Sequence, residues 1–374
     1  MTNVSLVPIL TLARSGATSR AWDAFVAAGL DGVSEVDALT LKGRLLKDRA
    51  KLAAGAERAA LFAQSGAAYA HAATLRPDSY PLINAAAMAL FAGDGASAAS
   101  IARDVLTLVD GDRSQGETPY WREATRAEAF LLLGRTDQAQ ASFQTAIACA
   151  PQAYEDHAVT LRQFTAILAE TGDNAAWLDR HRPAPSVHFS GIMNIASDDD
   201  VATEAVHAAI ADIAPGFGYG ALAAGADIIV AEALLAFGAE LHLVLPSAAP
   251  EFCRTSVAPF GSEWVARFEA LRDAAHSITL CNGDSETSRA GIALADYQAM
   301  GMAVAKAGLL ETRALALRIE PESRPALGDP WLRSGRSIVH IAVEESRPPV
   351  AFTALSEGKL LFFVALGADA GFAD

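Results

Sequence analysis

Two acidic residues in the second half of the chain are candidates for binding a ligand or for catalysis. Asp227 follows Gly225 at the start of an apolar run, and Glu232 lies five residues further along it. A carboxylate there can accept a hydrogen bond from a ligand, or act as a nucleophile or a general base. Residues five apart do not form a tight same-face pair, so this helix alone does not indicate a two-carboxylate device.

Both acids also have a simpler interpretation. An acid at the N-terminus of a helix is favourable in itself, which would account for Asp227. A carboxylate on an apolar helix needs a partner, so Glu232 can equally be paired with an arginine. The sequence leaves both alternatives open.

Glycine-bearing segments near these acids are candidates for holding a ligand. Ser190–Asn194 follows an apolar run, and Gly216–Asp227 leads into a helical pattern. Glycines let backbone N–H groups approach a ligand closely, and the N-terminus of a helix favours an anion such as phosphate. Neither segment has the GxGxxG dinucleotide fingerprint or a Walker A loop. The predicted ligand-binding residues are Ser190, Gly191, Ile192, Met193, Asn194, Tyr219, Gly220, Ala221, Gly225, Asp227, Glu232 and Asp284.

Other chemical signatures are missing from the sequence. Asp284 follows Cys281 after a further apolar run, where it is either a ligand contact or a turn residue. The eight histidines stand singly, without HxxxH or HExxH spacing, so no metal site is predicted. No GxSxG elbow and no cysteine–histidine pair is legible, and no cofactor is expected.

The elements that position these residues alternate between strands and helices. This pattern predicts a Rossmann-like, doubly wound parallel sheet with helices on both faces, followed by a terminal hairpin of 350–355 and 360–364. The predicted strands are Val187–Ser190, Leu241–Leu245, Ile278–Leu280, Ala314–Ile319 and Ile338–Val343. The predicted helices are Val201–Ile213, Gly225–Phe237, Trp264–Ala275 and Gly291–Leu310, with a short helix near Trp331.

The string Gly218-Tyr-Gly-Ala-Leu-Ala-Ala-Gly225-Ala-Asp227, with the helix and strand that follow it to Pro246, resembles the SLOG/DprA-like Rossmannoid superfamily. The resemblance spans about residues 186–345 and implies a sensor of nucleotide-derived signals or a hydrolase. The loop Ser190-Gly191-Ile192-Met193-Asn194 departs from that family, whose loop usually reads S-G-H-x-I-D. The catalytic signature PGGxGTxxE of its hydrolases is absent.

The first 180 residues have apolar residues at helical spacing and a recurring register. Gly134, Ala139, Phe143, Ala146 and Pro151 show the second-helix pattern of a tetratricopeptide repeat. The same register recurs at Gly16, Ala21, Phe25 and Ala28, and at Gly93, Ala98, Ala102 and Val105, and in part at Tyr69, Ala72 and Pro77. We predict about four imperfect helical pairs; a generic alanine-rich bundle is the alternative.

Two strings in this half add a second resemblance. Tyr80-Pro-Leu-Ile-Asn84-Ala-Ala and Tyr120-Trp121-Arg-Glu-Ala-Thr125-Arg-Ala-Glu128-Ala resemble the helical TRAF-binding region of the apoptosis-signal-regulating kinases and its bacterial relatives. The resemblance covers roughly residues 60–170 and implies a scaffold. No VAIK, HRD or DFG kinase signature is present. The concave face of such repeats is expected to hold a partner, with Asn84, Arg126 or Arg162 contacting an acidic one.

Composition narrows the class of protein. The chain has 374 residues, 52% of them hydrophobic, and a formal charge of -15. That charge disfavours nucleic acid and anionic membrane surfaces as partners. Three widely spaced cysteines fit a reducing cytoplasm, and no apolar stretch is long enough to span a membrane.

Together these patterns predict a helical-repeat domain over 1–180 and a SLOG-like α/β domain with a C-terminal hairpin over 186–374. Pro183 and Pro185 mark the linker between them. The expected protein is a cytoplasmic signalling or defence-type sensor of a nucleotide-derived small molecule, with repeats for partner binding or self-assembly into a homo-oligomer. The alternatives are an N-glycosidic-bond hydrolase or transferase, using Glu232 or Asp227, and a degenerate scaffold that binds nothing.

Overall fold

The computed structural model describes residues 5–111, 117–281, 286–322 and 330–345 of the chain. It divides into two compact units, Met1–Arg182 and Pro183–Asp374. The predicted hairpin at 350–364 lies outside the described residues, and so does Asp284.

The first unit is helical throughout its described residues. Its α-helices, in chain order, are α1 Val7–Arg14, α2 Thr18–Ala27, α3 Val36–Ala50, α4 Gly55–Leu75, α5 Ser79–Phe91, α6 Gly95–Asp110, α7 Pro119–Leu132, α8 Thr136–Cys149 and α9 Tyr154–Thr171. A short 3-10 helix, Ala176–His181, follows. Side chains cap several of these helices: Asp78, Asp94 and Thr118 each accept a backbone N–H from the first turn that follows.

The repeat register explains how the helices pack in pairs. Gly93 and Gly134 have positive φ angles of 87° and 68°, and each lies at the turn between two paired helices. The small and aromatic positions after them are buried, including Ala98, Ala139 and Phe143. A glycine inside α3 shows the same need for space, because a Cβ on Gly43 would lie 2.7 Å from the Tyr69 ring. The predicted helical pairs are confirmed.

Helix α9 packs on the first helices of the preceding pairs, against the expectation of an open concave face. Gln163 of α9 donates from Nε2 to Glu128 of α7 at 2.9 Å, and its Oε1 lies 3.4 Å from the ammonium of Lys47 on α3. Lys47 also donates to Asn84 Oδ1 of α5 at 3.2 Å. Asn84 is therefore engaged within the unit, and the prediction that it lines an open partner surface is wrong.

Arg126 lies outside the polar network that Lys47 forms with Asn84 and Gln163. Its guanidinium lies 3.0 Å from Asp110 of α6 and 3.8 Å from Glu123 one turn before it on α7. The third residue expected on that surface, Arg162, is exposed on α9 itself.

The second unit contains a parallel sheet whose strand order is β4-β3-β2-β1-β5-β6. Its strands are β1 Ser186–Gly191, β2 Phe217–Gly220, β3 Glu240–Leu245, β4 Ser277–Leu280, β5 Ala314–Glu320 and β6 Ile338–Ala342. Its helices are α10 Asp200–Ile213, α11 Ala226–Phe237, α12 Ala249–Ser256, α13 Ser262–Ala274, α14 Arg289–Leu309 and α15 Pro330–Arg333. Every strand pair in this sheet is parallel. The predicted Rossmann-like parallel sheet is confirmed.

The two faces of the sheet differ in polarity. One face is apolar: Val187 and Phe189 of β1 form a core with Leu234 of α11 and Phe268 of α13. The other face, under α14, contains polar side chains, among them His188 and His242 on the strands and Asp296 on α14. Polar groups buried between layers need hydrogen-bond partners, so this face can assemble a site.

Strand β2 is absent from the sequence-based set, which assigned its residues to a ligand loop. The string Phe217-Gly-Tyr-Gly220 contains two glycines, which usually weaken a strand. Here they allow close packing: a Cβ on Gly218 would lie 2.3 Å from Leu234, and a Cβ on Gly220 would lie 2.5 Å from Phe189. The glycines serve the packing of helix and strand.

Candidate functional site

The strand order places a topological switch point between β1 and β5. The chain moves outward from β1 through β2, β3 and β4, and then returns to the other side of β1 with β5. In open parallel sheets, ligands bind at such a point, outside the carboxyl ends of the strands. The residues that end β1 and β5 are Gly191 and Glu320.

A row of charged and polar side chains runs from this point toward α14. Arg318 of β5 lies with its Nη2 atom 3.2 Å from Nδ1 of His188. Nε2 of the same imidazole lies 3.0 Å from Oδ1 of Asp296. Arginine only donates, so Nδ1 accepts and the ring proton is on Nε2, which donates to the carboxylate. His188 thus links the guanidinium of Arg318 to the carboxylate of Asp296 through its two ring nitrogens.

Burying this row of side chains has a free-energy cost. His188 is fully buried, Arg318 is 5% exposed, and the ring of Trp331 stacks on His188 at 5.7 Å. Buried charges cost several kcal/mol unless they are paired and hydrogen-bonded. Although burial of the carboxyl acts in the opposite direction, the hydrogen bond from His188 and the charge of Arg318 hold the pKa of Asp296 below its usual value.

Asp227 lies at the start of α11, beside the end of β1. Its Oδ2 accepts the N–H of Ala223 at 3.1 Å, and its side chain is buried. Burial raises the pKa of Asp227 to about 7, and the N–H of Ala223 and the charge of Arg318 only partly oppose this rise. The nearby charge of Asp296 raises the pKa further. The pKa values of the Asp227 and Asp296 carboxyl groups are therefore shifted in opposite directions.

The first predicted loop packs tightly at one end and offers donors at the other. Ile192 is buried, its N–H donates to Ile319 at 3.0 Å, and its carbonyl accepts from Ala226. Among described residues, no acceptor receives the N–H groups of Met193, Asn194 or Ile195. Ile192 was predicted as a ligand-binding residue, but its side chain is in the core and its N–H and carbonyl are both engaged, so the structure does not support that contact.

The side chain of Asn194, further along this loop, does not join the row of charged and polar side chains. The Asn194 amide donates from Nδ2 to Glu345 at 3.2 Å. Ser190, the last residue but one of β1, lies beside Arg318 in register, is partly buried and is on the polar face. Ser190 and Gly191 therefore remain at the edge that the sequence indicated.

The second predicted loop is shorter than expected. Tyr219 and Gly220 belong to β2, and the Tyr219 ring stacks on His242 at 4.6 Å, so assigning them to a ligand loop is wrong. Ala221 is partly buried just beyond the strand. Gly225 has a φ of 83°, and a Cβ there would lie 2.6 Å from the Met193 carbonyl oxygen. This glycine joins the two loops to each other.

Glu232 is not brought to the switch point. Its carboxylate accepts two hydrogen bonds from Arg267 of α13, at 2.8 and 2.5 Å. The guanidinium also donates to the Ser197 carbonyl oxygen and lies 4.2 Å from the centre of the Trp264 ring. The structural alternative, pairing with an arginine, is therefore the observed one.

His188, Asp296 and Arg318 were missed by sequence reasoning. They lie 108 and 130 positions apart, so no local spacing joins them. One signal was available: Arg318 interrupts the apolar run Ala314–Ile319 on a strand predicted to be buried. Within the described ranges no cluster of His, Cys, Asp or Glu is arranged to hold a metal ion.

Comparison with known proteins bears on the first unit. Residues 8–89 match the family model described as Tetratricopeptide Repeats-Sensor. The first unit is thus a tetratricopeptide-like repeat array of the kind found in sensor or partner-binding proteins.

The similarity of the chain to a solved structure is low. A mutant O-GlcNAc transferase of Thermobaculum terrenum is similar at 12% identity, with a TM-score of 0.24 over 76% of this chain and 51% of that one. The chain therefore spans about half the length of that protein. No curated protein matches. None of the described helices is long and apolar enough to cross a membrane.

Proposed function

We propose that this protein is a cytoplasmic sensor whose α/β unit binds a nucleotide-derived ligand at the switch point between β1 and β5. Its domains are a helical-repeat domain over 1–180 and a SLOG-like domain over 186–374. The three cysteines are free, which fits a reducing compartment. The resemblance of 186–345 to SLOG proteins supplies the ligand class, and the geometry of the crevice supports its position.

The observation that carries the proposal is the charged row Arg318–His188–Asp296 beside Asp227. A folded core does not need such a row, because apolar residues of similar volume usually stabilise equally well. Titratable groups with shifted pKa values cluster at functional sites. Arg318 and His188 lie two and three residues before the carboxyl ends of β5 and β1, the edge at which parallel sheets bind ligands.

The two ends of the crevice suit the two ends of a nucleotide. The N–H groups of Met193, Asn194 and Ile195, which have no acceptor among the described residues, suit a phosphate. The N-terminus of α11 suits one less well, because the Asp227 carboxyl lies there and Ala226 donates to Ile192, which leaves only the N–H groups of Asp227 and Ile228 without an acceptor among the described residues of its first turn. The phosphate is therefore assigned to the first loop and the sugar and base to the carboxylates.

The repeat unit supplies the second half of a sensor. Tetratricopeptide-like repeats bind protein partners or copies of themselves, and we propose a homo-oligomer whose assembly responds to the ligand. Since α9 packs on the first helices of the pairs, a partner is expected to use the outer faces of α4 to α6. There a groove of about 670 Å³ is lined by Leu82, Leu108 and Asp104, among others.

The test is calorimetric titration of the full chain with nucleoside mono- and diphosphates, followed by light scattering with and without each compound. The proposal predicts saturable binding that Arg318→Met abolishes and Asp212→Asn, an exposed control on α10, leaves unchanged. A folded wild-type chain that binds none of the compounds would leave the degenerate scaffold as the correct description.

A second candidate function is hydrolysis or transfer at the N-glycosidic bond. The observation that favours it is the difference between the pKa values of two carboxyl groups. The pKa of Asp227 is raised to about 7, and that of Asp296 is lowered. Such pairs supply an acid and a base or nucleophile in many enzymes. Chromatography for a released base separates this candidate from binding alone, and Asp227→Asn should stop any release that occurs.

A further inference from the structure

Asp296 has one carboxylate oxygen engaged and one open. Oδ1 accepts the Nε2–H of His188 at 3.0 Å. Among described residues nothing donates to Oδ2. The side chain is 46% exposed, while its partner His188 is fully buried. Within the part of the chain that the structure describes, one oxygen is thus engaged and the other is without a donor, on a side chain that is partly exposed.

The protein also fixes the orientation and the charge of this acceptor. Arg318 and His188 hold the carboxylate ionised, so it cannot donate a hydrogen bond itself. An ionised carboxylate that is already oriented forms a strong, charge-assisted bond with a hydroxyl. The ligand must therefore present a donor at this point.

The position of Asp296 relative to the first loop selects which donor that is. His188 lies two residues before Ser190 in β1, roughly 7 Å along the strand at the usual rise per residue. The sugar is the nearest neighbour of the phosphate in a nucleotide, so a ligand whose phosphate binds the loop after Ser190 can bring a ribose hydroxyl within reach of Asp296. The base lies further from the phosphate.

We propose that Oδ2 of Asp296 accepts a hydroxyl of the ligand's ribose, and that His188 and Arg318 are positioning residues for it. The inference rests on the proposed function, because it assumes a nucleotide-derived ligand in this crevice. It narrows the ligand to one with a free 2′- or 3′-hydroxyl. It also excludes the sugar-modified analogues that lack both.

The experiment compares matched pairs of probes on the full chain by titration calorimetry. The probes are adenosine, guanosine, cytidine and uridine diphosphates, each with its 2′,3′-dideoxy form. For any diphosphate that binds, we expect the dideoxy form to bind roughly 10- to 100-fold more weakly. Equal affinity within a pair would overturn the inference and leave the proposed function standing.

Variants assign the effect to Asp296. Asp296→Asn should lower the affinity for the diphosphate toward that of the dideoxy form, and Asp212→Asn should change neither. A wild-type discrimination that survives Asp296→Asn would assign the hydroxyl to another group and refute the inference. If no diphosphate binds wild-type protein, both the inference and the proposed function fail.

The positioning role needs a readout that a general loss of stability does not move. That readout is the ratio of the two affinities within one pair, measured on folded protein. His188→Gln retains an amide donor for Asp296 and should keep most of the ratio, whereas His188→Leu should reduce it toward 1. Identical ratios for Gln, Leu and wild type would show that His188 does not position the carboxylate.

Discussion

The carboxyl group of Asp227 accepts the backbone N–H of Ala223, four residues before it, at 3.1 Å. The turn that precedes α11 is therefore closed by the first acid of the helix itself. The Ala226 N–H is engaged as well, with the Ile192 carbonyl, whereas among described residues no acceptor receives the N–H groups of Asp227 and Ile228.

The first prediction concerns Asp227 and pH. Burial raises the pKa of Asp227 from 3.8 to about 7, so between about pH 4 and 7 the native state binds a proton that the unfolded chain has released. Stability should fall as the pH rises through this window. Urea unfolding at pH 5 and 7.5 should show a loss about 2 kcal/mol larger in wild type than in Asp227→Asn. Parallel pH curves for the two proteins would contradict the buried, protonated carboxyl.

The second prediction concerns the polar network of the repeat unit. Burial lowers the pKa of Lys47 to about 8 and raises the pKa of Glu128 to about 7. Glu128 should make stability fall from about pH 4.5 to 7, and Lys47 should make it rise from about pH 8 to 10.5. The contribution of the network is thus lowest between pH 7 and 8, and the double variant Lys47→Met, Glu128→Gln should flatten the curve. Circular dichroism during urea unfolding across this range measures it.

The third prediction separates packing from ligand contact at Gly225. Gly225→Val should destabilise the α/β unit by about 3 kcal/mol or more, because its φ of 83° disfavours a side chain and a Cβ would clash with the Met193 carbonyl oxygen. Gly238→Ala is the matched control: its φ is 91°, but nothing lies within 4 Å, so it should cost about 1 kcal/mol. Thermal unfolding without any ligand distinguishes the two. Equal, small losses of stability in both variants would contradict the packing role of Gly225 and favour its predicted role as a ligand contact.

The fourth prediction concerns Glu232. Glu232→Gln weakens a bidentate bond to Arg267 that is partly exposed, so stability should fall by about 1 kcal/mol. Nucleotide affinity, and any release of a base, should be the same as in wild type. A loss of either function with the fold intact would restore Glu232 as a site residue.

Much of the α/β fold could be predicted from local patterns. Apolar runs such as Leu241–Leu245 predicted strands because buried parallel strands are almost continuously hydrophobic. Strand β2 could not be found in this way, since only the packed Leu234 and Phe189 side chains explain glycine at 218 and 220. Local pattern indicates an element, but not the close contact that sets its composition.

The candidate site was predictable only along its loops. Ser190, Gly191 and Asp227 were found because each lies beside a glycine at the end of a strand or the start of a helix. His188, Asp296 and Arg318 lie far apart in sequence and meet only when β5 and α14 pack on β1. The same limit explains the helical unit, where the position of α9 depends on Gln163 contacting Lys47 and Glu128.

The strand order has a consequence for the growing polypeptide. Strand β1 pairs with β2 early in synthesis, but its other neighbour, β5, is made more than a hundred residues later. Long-range parallel pairing is slow, and partly built α/β units expose sheet edges. A nascent chain that ends before Arg318 has Asp227 and Asp296 without their cation. The site that we propose can therefore form only after β5 has left the ribosome, and we expect shortened products neither to bind the proposed ligand nor to compete for it.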